Sequence, residues 1–270
     1  MVGDPGGQGG SAARLTTDLR AAYDSAADGW AAGPEQMYAQ LARELVASAP
    51  VPLTGCRVLD LGAGTGVAGR AALAAGARLV VAADLAVGML RRGGGALHPV
   101  AADAAALPFR DGSFDLVLAA FCLNHLGSVT AGLAESRRAG RAIAASAFAP
   151  GWSHPAKAAV EEALRPFGYR PPAWYVRFKR ETEPQAGDPA LLAGHAAAAG
   201  FSDVRLRTVA VPTGLSTPAQ LASWRLGMAH VAPFMGSLDP PQRAAAQRAA
   251  ERAVAGAEPL VVSMVVLTAS

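Results

Sequence analysis

The chain has 270 residues, 51% of them hydrophobic, which is enough for a sizeable core in one large α/β domain or two small ones. Its net charge is only +3, and the basic residues are scattered with no run of five, which argues against a nucleic-acid partner. Its two cysteines, Cys56 and Cys122, have no metal-ligand or disulfide-framework spacing, and no apolar run reaches 18 residues, so a reduced cytoplasmic protein with no metal, membrane span or signal peptide is expected.

Residues 1–12 are Gly-rich and polar and read as a flexible tail. Residues 13–270 read as one domain. It opens with a helical lid over 13–50: one helix from Leu15 to Ala27, then a second that starts at Pro34. In the second, Met37, Leu41 and Leu45 form an apolar stripe. Strands are predicted at Arg57–Leu61, Arg78–Ala83, Pro99–Ala101, Phe114–Ala119 and Arg141–Phe148. Helices at Gly66–Ala75, Ala86–Arg92 and Ser128–Arg138 alternate with them. Repeated βα units imply parallel strands buried on both faces, a doubly wound sheet. Beyond it come a helix at Pro155–Phe167, a loop over Gly168–Gln185 and a helix opened by Asp188-Pro189 and closed by Gly200. The run Asp203–Val211 alternates as a half-exposed strand, and Leu260–Thr268 is the last. Between them, residues 212–258 read as a helical cap inserted over the substrate site, with helices at Pro218–His230 and Pro240–Ala255.

The organising stretch is Val58–Gly66, an apolar strand that runs into Gly62-Ala63-Gly64-Thr65-Gly66 and then a helix. That is a nucleotide-binding corner, where absent Cβ atoms let a ligand approach the backbone. Gly64-x-Gly66-x-x-Gly69 matches the dinucleotide spacing, but Asp60 just before it would face a pyrophosphate. The same carboxylate suits an ammonium and a sulfonium, the charges of S-adenosylmethionine (SAM). Asp84 ends the second strand, where an acidic residue receives ribose hydroxyls. Asp103, after the third, can accept from an adenine amine.

These motifs, with Asp84-Leu85 and Met89-Leu90, Ala102-Asp103, Leu107-Pro108-Phe109, Asp111–Val117 and Leu123-Asn124-His125-Leu126, resemble class I SAM-dependent methyltransferases. The likeness is to the small-molecule branch of ubiquinone/menaquinone C-methyltransferases, the methyltransferase type 11 domain, over residues 20–148. It implies a Rossmann-like seven-stranded sheet with an antiparallel last strand. It implies Gly62, Ala63 and Gly64 against SAM, with Asp84 on the ribose. Leu85 and Met89 would flank the adenine, with Asp103 and Ala104 at its edge. The backbone near Ala120 would hold the methionyl amine, and Tyr23 matches a position near the methionine end. Two family features differ. The Arg-Pro-Gly-Gly lead-in to the fifth strand is replaced by Arg138-Ala139-Gly140-Arg141. No Asn-Pro-Pro-Tyr follows the fourth strand, which weighs against nucleobase or glutamine N-methylation.

Methyl transfer from SAM is an in-line displacement that needs alignment and exclusion of water, with a general base for an oxygen or carbon acid. His125, at the open end of the fourth strand, is the first candidate base and His154 the second. Trp30, Trp152, Trp174, Trp224, Met228 and His230 are candidate pocket residues, with His230 a third candidate base. Together they suggest a small, largely apolar acceptor. The function expected is methylation of an O, C or N atom of such a metabolite, in secondary or quinone-like metabolism of a bacterium, with S-adenosylhomocysteine (SAH) as by-product. Alternatives are a non-methylating role on the same fold, as a cyclase or binding protein, and an NAD-dependent oxidoreductase. No membrane partner is expected. Nothing in the sequence fixes the oligomeric state, and a homodimer is allowed for.

Overall fold

A computed structural model describes residues 6–270 of the chain. Two helices, α1 (Gly6–Ala32) and α2 (Pro34–Ala47), precede the sheet. Then β1 (Arg57–Leu61), α3 (Val67–Ala74), β2 (Leu79–Asp84), α4 (Val87–Gly93), β3 (His98–Ala101), β4 (Leu116–Ala120), α5 (Val129–Ala139) and β5 (Ile143–Phe148) alternate as expected. Four helices follow: α6 (Pro155–Leu164), α7 (Ala173–Glu181), α8 (Glu183–Gly187) and α9 (Pro189–Ala198). β6 (Arg205–Pro212) and β7 (Val261–Ala269) close the sheet, with α10 (Pro218–Leu226), α11 (Ala232–Ser237) and α12 (Pro240–Ala253) between them.

The seven strands lie in the order β3-β2-β1-β4-β5-β7-β6. The first five pair in parallel, while β7 runs antiparallel to both β5 and β6. This is the Rossmann-like sheet with a reversed last strand. Central strands are apolar on both faces because helices cover both, and Val58, Leu59, Leu116, Val117, Ile143 and Val265 are all buried. β6 lies at an edge, and its exposed Arg205 and Arg207 blunt it against further pairing.

The stripe of α2 is buried as predicted, with Met37, Leu41 and Leu45 in the main core. Pro34 opens that helix, and Glu35 in its first turn pairs with Arg70 of α3 at 2.5 Å. α9 is capped by Asp188, whose side chain accepts from the Ala190 and Leu191 N–H groups. A reciprocal capping box between Thr217 and Gln220 starts α10.

Three expectations need correction. α1 begins at Gly6, so it takes in much of the expected tail, of which residues 1–5 lie outside the described residues. The segment read as a loop, 168–185, carries α7 and most of α8. Its aromatic and basic residues have modest helix propensity, but Trp174 and Phe178 lie four apart on one face and pack inward. The helix expected from Pro218 to His230 stops at Leu226, with Gly227 as its C-cap pressed so close to the Gly29 carbonyl of α1 that no Cβ would fit. Among the described residues no helix is long and apolar enough to cross a membrane.

Candidate active site

The site forms over the carboxyl ends of β1, β2 and β4, where a doubly wound sheet opens a crevice. Asp60 of β1 is 1% exposed. Its Oδ2 accepts the Gly69 N–H at 2.7 Å, and its Oδ1 has no partner among the described residues. Burial pushes this carboxyl up to about 7, against the opposing pull of the Gly69 hydrogen bond. A Cβ on Gly69 would lie 2.9 Å from Asp60 Oδ2, so this glycine of the fingerprint serves the carboxylate rather than a phosphate. Gly62 has φ +63°, and a Cβ there would strike the Cys122 side chain, so the turn keeps its backbone bare beneath the crevice.

Asp84 closes the other side. Its Oδ2 accepts the Gly64 N–H at 2.8 Å and its Oδ1 the Ala86 N–H at 2.7 Å, so it ties the glycine turn to the start of α4. A carboxylate offers about four lone-pair positions, so both oxygens keep capacity for further donors. Burial raises the Asp84 carboxyl, and these backbone bonds lower it. Leu85 and Met89 form one apolar wall of the crevice, and Asp103 with Ala104 forms its outer rim. Asp103 Oδ1 also caps its own turn by accepting the Ala105 N–H at 2.8 Å. Ala120 ends β4 at the floor.

The resulting cavity has a volume of about 310 Å³ and brings together all eleven residues predicted to bind the cofactor. The donor set suits SAM. An unpartnered buried carboxylate oxygen answers an ammonium, a second carboxylate answers ribose hydroxyls, and bare backbone lies between them.

α1 roofs the cavity with Tyr23, whose Oη lies 3.2 Å from His125 Nε2. Beyond this pair lies a second chamber of about 50 Å³ between β4, β5 and the helices α7 and α10, and Tyr23 and His125 line both. His125 is half-buried, stacks on Phe178 at 4.7 Å, and keeps a buried Nδ1 with no partner among the described residues. Desolvation lowers its pKa to about 4, so it is neutral at physiological pH. Phe121, beside it, holds φ +54°, a left-handed conformation rare for a bulky residue, and packs on Tyr38 and Phe148.

The predicted pocket residues divide. Trp174, Trp224, Met228 and His230 line the second chamber. Trp30 lines the larger cavity and stacks on Tyr38 at 4.8 Å. Trp152 lines neither, since it stacks on Phe148 and donates to the Val261 carbonyl at 3.0 Å. His154 also lies apart from both. Its Nδ1 accepts the Ala156 N–H as the N-cap of α6, and its Nε2 meets the Glu258 carbonyl at 3.1 Å. That geometry makes it a structural cap. His230 sits under Tyr175, with ring centroids 3.7 Å apart. Its Nε2 lies 3.1 Å from Arg225 Nη2, and since a guanidinium only donates, the imidazole accepts there.

Sequence reasoning missed Lys157, Phe178 and Arg225 in the second chamber. It also missed Thr65 and Cys122 in the first. Thr65 was within reach, as the one hydroxyl inside the glycine turn. Lys157 and Arg225 lie in helices remote in sequence and carry no local motif.

Residues 59–142 match the methyltransferase domain family. A demethylmenaquinone methyltransferase from Beutenbergia cavernae is 35% identical over 148 residues, 52% of this chain and 60% of that protein. Another from Mycobacterium sp. (strain KMS) is 39% identical over 167 residues, 57% of this chain and 71% of that protein. The chain spans about half the length of several of the curated relatives it matches. Among solved structures, a protein from Anabaena variabilis described as a methyltransferase from an antibiotic biosynthesis pathway superposes with a TM-score of 0.57. It does so at 14% identity over 84% of this chain and 95% of that one, a likeness of fold. With its seven-stranded sheet, its paired carboxylates around a glycine turn and these relatives, the chain belongs to the class I SAM-dependent methyltransferases.

Proposed function

We propose that this protein methylates a small, flat, largely apolar metabolite of the quinone or secondary-metabolite kind. SAM, when bound, supplies an electrophilic methyl group. The observation that carries the reading is the division of the interior into a cavity lined by carboxylate acceptors and bare backbone and an aromatic chamber, with Tyr23 and His125 between them. Asp60 and Asp84 hold the polar ends of the cofactor, so its reactive group is oriented by groups that do not react. α1 and the aromatic residues exclude water from the junction. When His125 donates from Nε2 to Tyr23 Oη, its unpartnered Nδ1 keeps a lone pair that can take a proton from an acidic acceptor. Quinone-type relatives support the acceptor class, and the aromatic lining of the chamber agrees with it.

The test is label tracking. The protein is incubated with methyl-labelled SAM and a small-molecule extract of its source organism, and products are read by mass spectrometry. A single labelled product supports transfer and identifies the acceptor atom by fragmentation. Absence of label, with SAH still bound by calorimetry, overturns transfer in favour of a cyclase or binding role.

A further inference from the structure

The second chamber is walled by rings, and its lining side chains carry two unpartnered buried acceptors, Asn124 Oδ1 and His125 Nδ1, and two unpartnered buried donors beside three cations. Trp224 is 1% exposed and its Nε1 has no partner among the described residues. Arg225 is 2% exposed, and its Nε is likewise unpartnered although Nη2 holds Glu161 at 2.8 Å. Buried N–H groups are rarely left unpaired, so two in one small chamber point to a ligand that accepts from them.

The charges around the chamber point the same way. Its cations are Lys157, Lys179 and Arg225; its anions are Glu161 and Glu183. Arg225 pairs with Glu161 and Lys179 with Glu183, which uses both carboxylates. Among the described residues Lys157 has no ion pair. Its ammonium is instead held 3.8 Å from the centre of the Trp152 ring and 5.5 Å from that of Phe148. Burial, with Arg225 and Lys179 adding to it, brings this amine down to about 7, the mark of a cation without a counterion. A chamber of about 50 Å³ has room for a carboxylate or one ionised oxygen with its carbon.

We propose that the chamber binds the anionic head of the methyl acceptor, a carboxylate or ionised hydroxyl on a flat ring, through Lys157, Arg225 and Trp224. This rests on the acceptor reading of the chamber and adds a single negative charge to an otherwise apolar substrate. Lys157 acts here as a specificity residue that places the acceptor, at a distance from the reacting atoms.

The probes are 4-fluorobenzoate and its neutral isostere 4-fluorobenzamide, titrated into the full chain and followed by fluorine NMR. The benzoate is expected to bind about tenfold or more tightly than the amide, the scale of one desolvated charge contact. Lys157→Met, which keeps the apolar stem, should erase that preference, and Lys157→Arg should retain it. Benzoate binding should also take up protons at pH 7.5, as an anion draws the partly neutral amine back to its charged form, and Lys157→Met should abolish the uptake. Equal affinities, no binding of either probe, or a preference that survives in Lys157→Met overturns the proposal. SAH calorimetry on the same variants separates the two ideas. Absence of any anion preference in the unsubstituted chain, with SAH binding and methyl transfer intact, rejects only the anionic head. Anion preference without SAH binding rejects the methyltransferase reading.

Discussion

On the proposed reading of the site, Asp60 should couple ligand binding to a proton. Its carboxyl is held at about 7 in the folded chain, against about 3.9 for an unfolded aspartate. Between those values the folded state binds more protons, so this residue's contribution to stability is lost as pH rises from about 4 to 7. A ligand ammonium beside Oδ1 favours the charged form, so binding at pH 6 should release a proton and SAM affinity should rise with pH up to about 7. Calorimetry of SAH at pH 6 in buffers of different ionisation enthalpy checks this. Asp60→Asn should release none, and release that persists in the variant would rule Asp60 out. Asp84→Ala should weaken SAM by about 1–3 kcal/mol in the same experiment, the scale of lost hydrogen bonds to a charged group. Unchanged affinity would remove Asp84 from the site. Both residues were legible in the sequence because strand, glycine turn and the carboxylate ending the next strand lie within one βαβ unit, where chain order brings the strand ends together. His154 misled for a related reason: the chain order that places a residue after a strand does not say which way it faces. Here it faces the Ala156 N–H.

At the scale of elements, the lid and cap meet without clearance. A Cβ on Gly33, between α1 and α2, would run into the Ser223 carbonyl of α10. Its φ of −136° is open to any residue, so the obstacle is tertiary. Gly33→Ala should cost about 1–3 kcal/mol from overpacking. Gly194, in α9, has open space where a Cβ would stand, and Gly194→Ala should stabilise by about 0.4–1 kcal/mol through helix propensity and a less flexible unfolded chain. Thermal melts of the two variants should move in opposite directions; equal shifts would contradict this packing. The sheet and its alternation were readable from buried apolar runs. α7 was not, because its helical form depends on Phe178 and Trp174 finding the chamber, a contact that no local pattern records.

For the molecule as a whole, the cavity draws on α1, the sheet ends and the loop around Asp103, so a ligand there binds the folded state alone. SAH at a hundred times its Kd should therefore add about 2.7 kcal/mol of stability. For a chain of this size that is a rise in Tm of roughly 5–10 °C, taking about 2–4 °C per kcal/mol. A scan without and with SAH measures it, and no rise would mean that SAH does not bind the folded chain.

The seat of the first helix has a consequence for how the chain is made. Ser223 donates to the Ala32 carbonyl at 3.2 Å across 191 residues of sequence, and Gly29 rests against Gly227 and Ala232. At about 5–20 residues per second, a ribosome needs roughly 10–40 s after completing α1 to synthesise its docking surface. Through that interval the helix that roofs the cavity has no cap to close against, so a segment made before the sheet is among the last to settle.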